Sequence, residues 1–89
     1  MNEKNFVAFC RKTVAELKNA ELEKIGVKIT EDDVRILRME EILNHRIAVL
    51  ETKITEVSGS EYYEVTYDGD KKIAYVDEYI KVAQRVVVM

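Results

Sequence analysis

Hydrophobic positions recur at three- and four-residue steps over the first quarter of the chain. Phe6, Phe9, Cys10, Thr13, Val14, Leu17 and Ala20 fall on one stripe, with charged residues between them. That period predicts an amphipathic helix over 3–24. Asn2 is placed to cap its start and Glu3 to favour its first turn, while Gly26 supplies the left-handed residue that ends it. After the short extended connector Val27–Thr30 the pattern is ambiguous. Thr30 and Asp33 have the spacing of a capping box, which would open a second helix. Val34, Ile36 and Leu37 instead crowd β-branched and apolar residues into a short run, and Asn44-His45-Arg46 reads as a hairpin loop leading into Ile47-Ala48-Val49-Leu50. Two antiparallel strands, 34–43 and 46–55, are the expectation, with a helix over 31–43 as the alternative.

Ser58-Gly59-Ser60 predicts a turn. Strict alternation follows, with Tyr63, Val65 and Tyr67 on one side and Tyr62, Glu64 and Thr66 on the other. One apolar and one mixed face is the mark of a strand covered on one side only. Asp68-Gly69 ends this strand. Beyond it the spacing of Ile73, Val76, Tyr79, Ile80, Ala83 and Val87 matches a helical face, for which Asp70 would be the cap. Val86-Val87-Val88-Met89 favours strand locally. The predicted architecture is α+β: a three-stranded antiparallel sheet with the N- and C-terminal helices on its apolar face, α-β-β-β-α. The opposite face and the open sheet edges are left for a partner.

With 89 residues, the chain has room for one domain over 1–89. Net stability of a domain this size is roughly 4–13 kcal/mol, and self-association is a natural supplement for so small a core. A net charge of −3 and an isoelectric point near 5.2 argue against a nucleic-acid binder, whose cations normally gather into one patch. One cysteine allows no internal disulfide and suits a reducing cytoplasm, the expected location. No apolar run approaches the length needed to span a bilayer, and the N-terminus lacks the apolar stretch of a secretory signal.

The residues that usually carry chemistry have plainer roles. His45 is expected as an exposed turn residue rather than a general base, and Cys10, on the helix stripe, as a small buried apolar group rather than a nucleophile. One Cys and one His cannot supply a four-ligand zinc site. Glu31-Asp32-Asp33 and the pair Asp68 and Asp70 lack the calcium-loop pattern and are explained by capping and turn formation. No glycine-rich phosphate loop, dinucleotide fingerprint or nucleophile elbow is present. No catalytic, cofactor or metal site is therefore expected.

The runs Ile29-Thr-Glu-Asp-Asp-Val34 and Tyr62-Tyr-Glu-Val-Thr-Tyr-Asp-Gly-Asp70 resemble a family of small uncharacterised proteins encoded in phages and prophages of Gram-positive bacteria. The resemblance covers about the last two-thirds of the chain, although the tryptophans common in that family are missing here. It implies an accessory protein of unknown role and brings no catalytic residue.

The functional expectation is a non-enzymatic accessory protein that binds a protein, either a host component or itself. The tyrosine-rich C-terminal half supports this, because tyrosine suits interfaces. Candidate contact residues are Tyr62 first, with Glu64 and Thr66 on its side of the strand, and then Tyr75. Two rival readings stand beside it. One is a small nucleic-acid-binding regulator that gathers Arg35, Arg38, Arg46 and Lys53 on the first hairpin. The other is a dimer that binds a small ligand or nucleotide at its interface.

Overall fold

Helix α1 runs over Glu3–Leu22 in a computed structural model that describes residues 1–52, 62–80 and 85–88. Asn2 caps it as the sequence predicts, its side-chain oxygen accepting the Asn5 N–H at 2.8 Å. A 3₁₀ turn, Glu23–Ile25, follows, and Gly26 closes it at φ +69°, where glycine meets no steric penalty. The buried face of α1 comprises Phe6, Cys10, Val14, Ala15, Lys18 and Leu22, with Phe9 and Leu17 packed beside it. The stripe therefore rotates near its C-terminal end: Ala20 is exposed, and Lys18 lies inside, its ammonium 3.1 Å from Glu21.

Thr30 and Asp33 do form a capping box, but on a single 3₁₀ turn, Glu31–Asp33, after which the chain becomes extended. A cap satisfies the first backbone donors of a helical turn whether or not further turns are added to it. The strands are β1 (Val34–Ile42), β2 (His45–Thr52), β3 (Tyr62–Asp68) and β4 (Ile73–Tyr79), paired antiparallel in the order β1-β2-β3-β4. The ambiguous stretch is thus strand from Val34 onward. The expected Ser58-Gly59-Ser60 turn and residues 53–55 of the second strand lie outside the described residues.

The C-terminal helix is replaced by β4, so the architecture is one helix on a four-stranded sheet rather than two helices on three strands. Asp70 caps no helix. Its N–H and that of Lys71 donate to Asp68 Oδ1 at 3.0 and 3.1 Å, which folds residues 69–72 into the hairpin turn between β3 and β4. Gly69 is required there by contact rather than by backbone angle. A Cβ at that position would lie 2.3 Å from the Asn44 carbonyl oxygen, which already accepts the Gly69 N–H at 2.8 Å. The expected apolar stripe Ile73, Val76 and Tyr79 divides between the two faces of β4, with Ile80 exposed just beyond it.

Helix α1 lies over β1 and β2. Between helix and sheet sits the core: Phe6, Cys10, Val14 and Leu22 from the helix, Val34, Ala48, Leu50, Tyr63 and Val65 from the strands, and Ile29 from the connector. Asn19 fixes that connector by accepting the Ile29 N–H at 2.8 Å and donating to its carbonyl at 3.0 Å, a strand-like pairing made by one side chain. Tyr63, Val65 and Tyr67 face the helix as expected. Among the described residues no helix is long and apolar enough to cross a membrane.

Candidate interaction face

Four rows of side chains cross the sheet face opposite α1, and the pairing register fixes their membership. The first is Arg35, Glu51, Tyr62 and Tyr79; the second Arg38, Val49, Glu64 and Asp77. The third is Glu40, Ile47, Thr66 and Tyr75, and the last Ile42, His45, Asp68 and Ile73. A register shift between Ile36 and Arg38 leaves Leu37 as the extra residue of a bulge. That bulge turns both Arg35 and Arg38 outward although they are three positions apart.

This face carries Tyr62, Glu64 and Thr66 together, as the alternation predicts, and brings Tyr75, Arg35 and Arg38 beside them. Arg46 is separated from them. It pairs with Glu41 and Tyr67 in the register, on the helix side, and its guanidinium lies 3.2 Å from the Glu41 carboxylate. The hairpin therefore does not assemble the proposed basic patch, and Lys53 lies outside the described residues. Beside the β1–β2 turn, a solvent-open cleft is lined by Glu41, Arg46, Tyr67 and Lys72. Its one sheltered cation, Arg46, is already engaged by Glu41.

Two contributors to the outer face are not visible in the helical reading of the C-terminal segment. Tyr79 stacks on Tyr62 with ring centroids 4.8 Å apart and planes 11° from parallel. Asp77 stands directly across from Glu64. Alternation through Ile73, Tyr75, Asp77 and Tyr79 was the available signal. The aromatic surface is open to solvent, with Tyr62 43%, Tyr75 48% and Tyr79 38% exposed.

The outer face also has a charge pattern. Arg35 is bonded to Glu51, Arg38 Nε lies 3.2 Å from Glu40, and His45 Nε2 lies 3.5 Å from Asp68. Among the described residues, no cation pairs with Glu64 or Asp77. Their field holds the Tyr79 phenol above its ordinary pKa, Glu64 contributing most, followed by burial, Asp77 and Tyr62. Asp68 is shifted the other way, chiefly because the Lys71 backbone N–H stabilises its charged form, with Asp70 N–H, His45 and Lys71 adding to this.

A family model described as "Family of unknown function (DUF6275)" matches residues 7–89. The chain belongs to that family. The DUF6275 match begins within α1 and takes in all four strands, so the whole outer face lies inside the family domain. No curated protein and no solved structure matches the chain.

The remaining reactive groups are held in structural roles. His45, Asp68 and Asp70 place a ligand atom each within 4.8 Å of one another. Asp68 Oδ1 accepts two backbone N–H groups, however, and Asp70 Oδ1 accepts Asn44 Nδ2 at 2.9 Å, so these oxygens serve the turns. His45 itself is the first residue of β2 rather than a loop residue. Cys10 is fully buried, and burial pushes its thiol up to about 12 from 9.0. The unfolded chain releases this proton near pH 9.0 and the folded one only near 12, so its contribution to stability is whole below 9.0 and is lost as pH rises between the two. The stability difference between wild type and Cys10→Ala, measured by urea unfolding, is expected to be constant below pH 9.0 and to shrink above it. A difference that stayed level across the alkaline range would contradict the buried, neutral thiol.

Proposed function

We propose that the chain is a non-enzymatic accessory protein of the phage and prophage type, working in the cytoplasm by binding a protein partner through the outer face of its sheet. The observation that carries this reading is the exposed aromatic surface of Tyr62, Tyr75 and Tyr79 on a sheet whose other face holds the core. Exposed aromatic area in a small domain is costly to leave in water, and tyrosine supplies large contact area with little rotamer entropy. Ile73 and Ile42, 45% and 54% exposed, extend the apolar surface along the bottom row. The burial of Cys10 supports a binding role over one in nucleophilic catalysis by its thiol.

A nucleic-acid partner is less well supported, because Arg35 and Arg38 are neutralised on the outer face and Arg46 lies on the other side. The test is capture from a Gram-positive host lysate together with sedimentation of the pure chain, each repeated with Tyr75→Ser. We expect a captured protein, or self-association, that is lost in the variant while its unfolding midpoint is unchanged. An inert monomer in both measurements, or capture indifferent to Tyr75, overturns the reading.

A further inference from the structure

Among the described residues, the charges of the outer face do not cancel evenly, and the remainder is concentrated. Each described arginine of that face has a carboxylate beside it, Arg35 with Glu51 and Arg38 with Glu40, and His45 lies beside Asp68. Glu64 and Asp77 are left over, and they are direct cross-strand partners. Side chains so placed stand roughly 5 Å apart at Cβ, and like charges there destabilise a sheet. A sequence that keeps two carboxylates opposed, without a described cation between them, holds a local negative charge that a positive group would relieve.

The surroundings are suited to such a group. Along β4, Tyr75 and Tyr79 flank Asp77 on the same face, each about 7 Å away by strand geometry. Along β3, Tyr62 and Thr66 flank Glu64, and Tyr62 is stacked on Tyr79. The two carboxylates thus form the floor of a seat with aromatic walls on two sides. Ring faces attract cations, and a planar guanidinium can stack on a tyrosine while its N–H fork reaches a carboxylate. The raised Tyr79 phenol records the same negative field at the seat's wall. Strand β4 is also an edge, unpaired on its outer side among the described residues, so an extended segment has access to it.

From this geometry we infer that the partner is a basic protein segment, docked by an arginine or lysine seated on Glu64 and Asp77 between Tyr62, Tyr75 and Tyr79. The inference rests on the outer face being the binding surface and adds the chemistry of what it takes.

The experiment uses the full chain, isotopically labelled, with two capped pentapeptides that alternate glycine with arginine or with glutamate. The arginine peptide is expected to shift the backbone amides of Tyr62, Glu64, Tyr75, Asp77 and Tyr79, and its affinity to fall as salt rises from about 0.01 to 0.15 M. The double variant E64Q/D77N is expected to bind it about tenfold more weakly, the loss typical of a charge-assisted hydrogen bond. The same variant should unfold at higher urea than wild type because the opposed charges are gone, which separates lost binding from lost folding. Equal binding of the glutamate peptide, shifts that map elsewhere, or an affinity unchanged in E64Q/D77N overturns the inference. A free chain that sediments as a dimer with those amides protected from exchange also overturns it, since a second copy is then the occupant. Capture that depends on Tyr75, with no response to the arginine peptide, removes the cationic partner and leaves the docking face standing. Capture indifferent to Tyr75 removes the face itself.

Discussion

Replacing Phe6 with alanine is expected to lower folding stability by about 3–5 kcal/mol, the usual range for deleting a buried aromatic ring. Phe6 is wholly inaccessible in the first turns of α1, packed in the cluster that joins the helix to the sheet. Among the described residues a single long helix covers this sheet, and Phe6 is one of the side chains that hold it there. A domain of this size holds roughly 4–13 kcal/mol in total. The variant should therefore be partly unfolded at 25 °C or close to it, with a much lower urea midpoint. Leu37→Ala is the matched control, because Leu37 is 48% exposed at the bulge of β1 and should change stability by about 0.5 kcal/mol or less. A Phe6→Ala midpoint no lower than that of Leu37→Ala would mean that the helix is not clamped to the sheet at this position.

The elements legible in the sequence are those specified by neighbours in the chain. Asn2 and Gly26 bound the first helix through local hydrogen bonds and a local backbone angle, so its extent could be read within a few residues. The alternation through Tyr62–Tyr67 likewise fixed which side of β3 is buried. Where the reading fails, the deciding contact is distant. Ile73, Val76 and Tyr79 are spaced as on a helix, yet β4 forms because β3 offers a full ladder from Tyr62 to Asp68. Isoleucine, valine and tyrosine all favour that pleated setting. The helical appearance arises because an edge strand with one open face carries apolar side chains on both sides, which blurs the period of two.

The site shows the same division. Tyr75 joins Tyr62 on the outer face because it lies in a strand rather than the expected helix, and Asp77 and Tyr79 escape notice because a helix would have pointed them elsewhere. Arg35 and Arg38 share a face only because Leu37 bulges, a displacement that no residue pattern announces. Arg46 is absent from that face because it alternates in phase with Ala48 and Leu50, which point into the core. One residue of register decides the side on which every side chain of a strand emerges.

Tyr63 offers a sharp test of this division between a structural and a binding face, since it adjoins Tyr62 in sequence but points the other way. Tyr63 is fully buried, paired across the sheet with Leu50 and Glu78, and its hydroxyl lies 3.4 Å from Glu21 of α1. Tyr63→Ala is expected to cost about 3–5 kcal/mol, because a buried ring is lost from the middle of the core. Tyr63→Phe keeps the ring and gives up the hydroxyl's hydrogen bonding, a loss of about 0.5–1.5 kcal/mol. Neither change alters the outer face, so Tyr63→Phe, still folded, should bind the arginine peptide as wild type does. Tyr62→Ala should reverse the pattern, with a small effect on unfolding and weakened peptide binding, because Tyr62 is 43% exposed and stacks only at the surface. Urea titration and amide-shift titration of the variants check both halves. A Tyr63→Phe protein that remains folded yet fails to bind would show that the two faces of β3 are not independent.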